Sequence, residues 1–174
     1  MTEAALDQER TDLIAMLDSQ RALARLPFTG IDDEQARLRS TVSELTLGGL
    51  LHHLISCERM WTGVIRDRDE NATLDISRFG GEYVMAEDET VAGLLAEWDA
   101  LATQTTELIR TVDDLDTLIP TPTSPWRPER VWWTVRFTLL HIFRELCHHS
   151  GHADIVRESI DGANTTYQRA NAGI

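Results

Sequence analysis

The chain has 174 residues and a formal net charge of −13, from 29 acidic side chains against 16 basic ones, all of which are arginine. This acidity argues against nucleic acid and anionic membranes as partners, because proteins that bind them need a basic surface to displace counterions. The length predicts a single domain over residues 1–174, and 42% of the residues are apolar, which is enough to bury one core.

The cysteines and the N-terminus indicate the compartment. Cys57 and Cys147 are too few and too far apart in the sequence for a disulfide framework. The first twelve residues hold five charged side chains and no apolar signal segment. No run of eighteen apolar residues, as a membrane-spanning helix requires, is present. We therefore expect a soluble, cytoplasmic protein.

Four long segments have the apolar periodicity of amphipathic helices, and no segment shows strand-like alternation or an internal repeat. The first runs from about residue 4 to 26, and the second covers about 46–67. The third follows Thr90, a residue type that caps helix N-termini. The fourth covers about 133–160 and ends before Gly162, where glycine favours a left-handed cap.

Two long connections, 68–89 and 113–132, join these helices. Connections of this length are uncommon in compact domains unless they have a function or wrap the body. Because both contain aromatic residues, we expect parts of them to pack on the helices; these aromatics are Phe79, Tyr83 and Trp126. The pattern predicts an all-α fold, a four-helix bundle with long crossover loops. The tail after residue 164 is expected to be loosely ordered or engaged with a partner subunit.

All six histidines fall in two short stretches, 52–53 on the second predicted helix and 141–152 on the fourth. Imidazoles concentrated on two helices of a bundle are typical of a metal site in its core, because ligands project inward from facing helices. His149 stands in an apolar row with steps of four and three residues, and Glu145 lies one turn before it on the same side. His53 flanks the apolar stripe of the second helix, whereas the residue before it points away.

These positions predict a metal site formed by His53, Glu145 and His149. Three protein ligands leave coordination positions open for water or substrate, which is the pattern of a catalytic rather than a structural metal. Spacing leaves two alternatives open. The histidines can be hydrogen-bonded core residues, with the glutamate paired to an arginine. The pair His148 and His152 also has good ligand spacing, although it faces the core less directly.

Four other side chains have a functional interpretation, and three of them have a structural one as well. Cys57, one turn after the inward histidine, could approach a metal, or it is a small buried hydrophobe. Glu58 could orient an imidazole. Arg136 and Arg157 could hold an anionic thiol cofactor or a substrate carboxylate, or they form salt bridges on an acidic surface.

Two stretches carry a family resemblance: TVSELTLGGLLHHLISCERMW (41–61) and PWRPERVWWTVRFTLLHIFRELCHHSGHADIVRESIDG (125–162). They resemble the DinB-like superfamily and, within it, the actinobacterial branch known as DUF664. The segment 9–40 is also similar, so the resemblance covers nearly the whole chain.

The resemblance implies a four-helix bundle that holds a divalent metal, with zinc first and nickel or iron as alternatives. The superfamily includes mycothiol-dependent maleylpyruvate isomerase and low-molecular-weight thiol transferases, whose site uses His, Glu and His. These ligands match His53, Glu145 and His149. Arg144 stands where relatives of this branch commonly carry an acid. The likeness to the isomerase covers only the metal-binding part of that enzyme, so isomerase activity is not expected.

Two functions from different classes follow. The first is metal-dependent transfer of a mycothiol-type thiol to an electrophile, in which the metal lowers the pKa of the thiol. His152 or His141 would then carry protons or support the metal ligands, and Arg136 and Arg157 would bind the cofactor. The alternative is a non-catalytic, stress-related protein that binds a metal or a small molecule. In both cases we expect a homodimer with small molecules as partners, and neither nucleic acid nor membrane.

Overall fold

The computed structural model describes residues 7–172, with side chains at all of these positions except 78, 79, 171 and 172. Residues 4–6 of the first predicted helix lie outside this range. No helix within it is long and apolar enough to cross a membrane. The helices are α1 (Gln8–Arg25), α2 (Asp33–Arg37), α3 (Leu47–Asp67), α4 (Val91–Thr111), α5 (Val135–Asp161) and α6 (Thr165–Ala172). Short 3-10 helices cover Leu26–Phe28 and Ile76–Gly81, and the strands are β1 (Leu118–Pro120) and β2 (Trp132–Thr134).

Three of the long helices begin after a threonine whose hydroxyl accepts a hydrogen bond from a backbone N–H in the first turn. This bond satisfies one of the N–H groups that have no partner inside the helix. Thr46 caps α3, Thr90 caps α4 and Thr134 caps α5. α5 ends at Gly162, whose φ of 79° is left-handed and therefore suits glycine. The predicted caps at Thr90 and Gly162 are confirmed.

The long helices α1, α3, α4 and α5 pack around an apolar core. α3 contacts both α4 and α5, and α1 packs on α5 and α4. The predicted all-α four-helix bundle is thereby confirmed. α3 and α5 contribute a row of aliphatic side chains that are each at most 1% exposed: Leu50, Leu54, Leu139, Ile142 and Leu146. The interface between these two helices also contains the three predicted metal ligands, His53, Glu145 and His149.

A short two-stranded ladder corrects the expectation that the chain has no strands. β1 and β2 pair antiparallel, with Ile119 opposite Trp133. Because residues 132–134 belong to this ladder, α5 begins at Val135 rather than near 133. Strands of three residues are too short to show a period of two in the sequence, and their partner is chosen by the fold.

The segment after residue 164 forms α6, which corrects the expectation of a loosely ordered tail. Asp154 on α5 accepts hydrogen bonds from the backbone N–H and the hydroxyl of Thr165, the first residue of α6. The short segment Asp33–Arg37 also forms a helix, α2. It is closed by a capping box in which Asp32 and Gln35 bond to each other's backbone N–H groups.

Candidate metal centre

His53 projects from α3 into the interface with α5. The residue is 5% exposed, and the centroid of its ring lies 4.6 Å from that of His149. The Nδ1 atom of His53 is buried and makes no hydrogen bond within the described part of the chain. Oε1 of Glu82 lies 3.6 Å away, which is too far for a hydrogen bond. Because a buried polar atom without a partner is costly, this nitrogen is suited to bind a group from outside the chain.

Tyr83 covers the His53 ring. The two rings are stacked with centroids 4.1 Å apart, and the Tyr83 hydroxyl lies 3.3 Å from Nε2 of His53. The segment that carries Tyr83 lies directly on the first turn of α3 because Gly48 and Gly49 have no side chain there. A Cβ at Gly49 would overlap the carbonyl oxygen of Tyr83, and one at Gly48 would approach the Met85 side chain too closely.

α5 contributes Glu145 and His149. His149 is 5% exposed and stands in the buried row of the helix, as predicted, between Leu146 and Ala153. Glu145 lies one turn earlier at the edge of the core and is partly exposed. Its Oε2 atom lies 3.6 Å from Nε2 of His149. The i, i+4 spacing therefore directs both side chains to one place, as helical geometry requires.

The donor atoms of α3 and α5 converge. One atom each of His53, Glu145 and His149 lies within 4.8 Å of the other two. Ligand atoms around one tetrahedral zinc ion at about 2.0–2.2 Å are about 3.3 Å apart, so small side-chain rotations would close the group on an ion. Two imidazoles and a carboxylate are a donor set of catalytic zinc sites. The donor set and the unpartnered Nδ1 of His53 therefore fit a divalent ion.

The surroundings keep His149 in the form that binds metals. Burial, together with the neighbouring His53 and His148, lowers the pKa of His149 to about 4, and burial is the largest cause. Glu145 acts in the opposite direction, but burial prevails. The ring is therefore neutral at neutral pH, and a neutral imidazole has a lone pair for an ion.

His149 belongs to a second group as well, with His148 and His152. Nδ1 of His149 lies 3.2 Å from Nδ1 of His152, on the side of the ring away from the nitrogen that faces Glu145. His148 is exposed, and His152 is half-buried. The structure thus brings together both donor sets that the spacing left open, and His149 is common to them.

A family model for mycothiol-S-transferases matches residues 12–162. The chain belongs to the mycothiol-S-transferase family. The match includes all of α3 and α5, and with them His53, Glu145 and His149. This family is DinB-like, so the predicted superfamily is confirmed, and membership of the DUF664 branch stays a prediction.

A solved structure shares the fold. YfiT from Bacillus subtilis, described as a probable metal-dependent hydrolase with an unusual four-helix bundle topology, matches with a TM-score of 0.56. The sequence identity is 16%, over 99% of this chain and 93% of that chain. At this identity the likeness shows the fold alone. None of the curated proteins matches the chain significantly.

In this member of the mycothiol-S-transferase family, His141 lies beside the carboxylate of the candidate centre. Its Nδ1 is 3.5 Å from Oε1 of Glu145 and accepts a hydrogen bond from Arg144 at 2.6 Å. The ring packs edge-on against Trp61 and Trp133. Burial lowers the pKa of His141, and Arg144 lowers it further. The structure therefore places His141 next to the group, as it does His152, and their catalytic roles stay predictions.

The two predicted cofactor-binding arginines hold parts of the fold together. Arg136 donates to Glu9 of α1 and to Asp116. Arg157 is buried and donates to Asp161 and to the backbone carbonyls of residues 27 and 29. No recorded contact within the described residues joins either guanidinium to the candidate centre. The salt-bridge interpretation thus describes their contacts, and cofactor binding stays a prediction.

The contacts of Glu58 contradict the interpretation that it orients an imidazole. It is 1% exposed and accepts hydrogen bonds from Arg21 of α1, from Nε1 of Trp98 and from the hydroxyl of Thr105 on α4. Five residues after His53, it lies about 140° further around α3 at about 100° per residue, and therefore faces other helices.

The loop residues around Tyr83 are the part of the site that motif analysis missed. The expectation that loop aromatics pack on the helices is confirmed for Tyr83. Trp126, in contrast, is 64% exposed, and the side chain at position 79 lies outside the described part of the structure. Glu82, the neighbour of Tyr83, also reaches His53. The two consecutive glycines at the start of α3 are the sequence signal that marks this close approach.

Proposed function

We propose that this member of the mycothiol-S-transferase family transfers a low-molecular-weight thiol of the mycothiol type to an electrophile and depends on a divalent metal. His53, Glu145 and His149 would hold the ion, with zinc as the first candidate and nickel or iron as alternatives. The convergence of these three donors between α3 and α5, inside the matched residues 12–162, is the observation that carries the proposal.

An ion at this position would act as a Lewis acid that lowers the pKa of the bound thiol, so that thiolate forms at neutral pH. The residues around it have separate tasks. The rings of His53 and His149 would provide lone pairs, and the carboxylate of Glu145 would supply an oxygen ligand. Tyr83 packs on the face of His53 and restricts its rotation.

The cysteines of the chain support an external thiol as the nucleophile. Burial, together with the negative charges of Glu145 and Glu82, raises the pKa of Cys57 to about 12. Cys147 is exposed on α5, and partial burial of its sulfur raises its pKa as well. A protein thiol that serves as a catalytic nucleophile at neutral pH usually has a lowered pKa. Because neither cysteine has one, we take a small molecule as the source of the sulfur, as the family name implies.

We assign proton transfer to His141 and His152, because each lies against one proposed ligand. His141 is 3.5 Å from Glu145, and His152 is 3.2 Å from His149. His141 could take the thiol proton through the carboxylate of Glu145, whereas His152 would have to take it through water, because Nε2 of His149 would hold the ion. A cytoplasmic location and a homodimer are part of the same proposal and rest on the sequence alone.

Wild type and Glu145→Ala test the proposal, with Glu107→Ala as the matched control, since Glu107 is an exposed glutamate of α4. The proteins are purified without chelator, their metal content is measured by elemental analysis, and conjugation of mycothiol to a bimane electrophile is followed. We expect about one divalent ion per chain and thiol consumption in wild type and Glu107→Ala. In Glu145→Ala thiol consumption should be lost and metal binding at this centre weakened, because two imidazoles remain as ligands.

Two results would contradict this proposal. Wild-type protein without bound metal would remove its basis, and equal conjugation rates in wild type and Glu145→Ala would separate the activity from this centre. Bound metal that depends on Glu145, without turnover of any thiol, would instead favour the non-catalytic metal-binding protein.

A further inference from the structure

The group formed by His148, His149 and His152 on α5 has no role as a unit in the proposed function. Its ring centroids lie 4.7–5.2 Å apart, and one donor atom of each residue lies within 4.8 Å of the other two. The group extends from the buried His149 through the half-buried His152 to the exposed His148. It thus connects the inside of the bundle with solvent.

The distances between nitrogens in this group fit a coordinated ion. Nδ1 of His149 and Nδ1 of His152 are 3.2 Å apart. Two ligand nitrogens at about 2.0–2.1 Å from one tetrahedral ion are about 3.3 Å apart, so this pair already has the spacing of two ligands. His148 and His152 are four residues apart on one helix, which brings two side chains to the same face.

The donor chemistry selects a class of ion. Three imidazoles without a carboxylate suit nickel, copper or zinc, whereas magnesium and calcium prefer oxygen ligands. The nearby carboxylate of Asp154 is engaged by the backbone N–H and the hydroxyl of Thr165. The exposure of His148 leaves a path for the ion and for water in the remaining coordination positions.

We propose that His148, His149 and His152 form a second, solvent-facing site for a transition-metal ion of the nickel, copper or zinc type. This site does not use His53 or Glu145, and it does not depend on thiol transfer. It shares only His149 with the proposed metal centre. Because a neutral imidazole has one lone pair, an ion at Nε2 of His149 would compete with the outer site for this ring.

The test therefore removes the inner donors first. The metal-free double variant His53→Ala/Glu145→Ala is titrated with Ni²⁺ by isothermal titration calorimetry. We expect it to bind one equivalent. Adding His148→Ala should weaken the binding by at least about tenfold, because one of three ligands is lost. Adding His52→Ala is the matched control and should leave the affinity unchanged. His52 lies on another face of α3, where it bonds to Glu89 of the loop before α4.

Absence of Ni²⁺ binding in the folded double variant would overturn this site, and so would an affinity that His148→Ala does not change. Circular dichroism establishes that the variants are folded. If the double variant does not fold, His53→Gln/Glu145→Gln, which keeps the side-chain size closer to the original, replaces it with the same two outcomes. Failure of the outer site would leave thiol transfer by wild type and its loss in Glu145→Ala unaffected, so the two proposals fail separately.

Discussion

Glu58 and His53 are buried polar side chains of the same helix, yet their surroundings differ. The carboxylate of Glu58 has donors from three side chains on α1 and α4, and the charge of Arg21 balances its own. His53 has a buried Nδ1 without a hydrogen bond in the described part of the chain, and it faces two further donors on α5. The first cluster is closed by the protein itself, whereas the second is open to a ligand.

This difference separates a structural from a functional polar cluster. Burying a charge is costly unless it is paired and hydrogen-bonded, so a closed cluster indicates a role in the fold. An open cluster keeps donor atoms without internal partners. The free energy that their burial costs is recovered when an ion binds. Four predictions test this contrast, beginning with the largest expected effect.

The closed cluster should be essential for stability. We expect Glu58→Ala to lower the free energy of unfolding by about 3–5 kcal/mol, because it leaves the buried Arg21 with only the exposed Asp18 as a charged partner. Asp18→Ala is the matched control: it removes an exposed partner of the same arginine and should cost less than about 1 kcal/mol. Urea unfolding of both variants measures the difference. Equal costs would mean that Glu58 is no more important than a surface carboxylate.

The open cluster should instead make stability depend on metal. With zinc at about 100 times its dissociation constant, we expect the native wild type to gain about 2.7 kcal/mol, which a chelator abolishes. In a His148→Ala background, which disables the outer site, Glu145→Ala should show no such gain, whereas Glu107→Ala should respond like wild type. Thermal unfolding with zinc and with chelator measures this. Identical melting temperatures of the wild type in both conditions would show that no ion binds to the native state.

The approach of Tyr83 to His53 should depend on the glycine beneath it. We expect Gly49→Ala to cost about 1–3 kcal/mol, because its Cβ overlaps the Tyr83 backbone and the loop has to move. Gly63→Ala on the same helix meets only ordinary contacts and should gain up to about 1 kcal/mol. Unfolding measurements compare the two, and metal titration of Gly49→Ala shows whether the loop supports the centre. If Gly49→Ala does not change the free energy of unfolding, the approach of Tyr83 to His53 does not depend on this glycine.

The smallest effect concerns the cysteines. With a pKa of about 12, roughly one in ten thousand Cys57 side chains is a thiolate at pH 8, whereas Cys147 is exposed. We expect Ellman's reagent to label one thiol in the native protein and both in urea. Cys147→Ala should leave no reactive thiol before unfolding. Rapid labelling of Cys57 in this variant would show that the cluster beside it opens to solvent.

Local features of the sequence were sufficient to predict much of the bundle and part of the site. Helical periodicity and capping are properties of neighbouring residues, so the helix at Thr90, the end at Gly162 and the inward position of His149 are visible in the chain itself. The same holds for the alignment of Glu145 with His149, because they are one turn apart.

Contacts between distant segments were decided by the tertiary structure. Periodicity gives the direction of a side chain around its own helix, but not the helix that it meets. It could not show that His53 faces α5 while Glu58 faces α1 and α4, or that Tyr83 folds back on His53. The pairing of β1 with β2 and the docking of α6 on Asp154 likewise depend on contacts between separate elements of the chain. The sequence thus determined the helices and their donor residues, and packing determined which donors meet, because only packing brings residues from different helices within coordination distance.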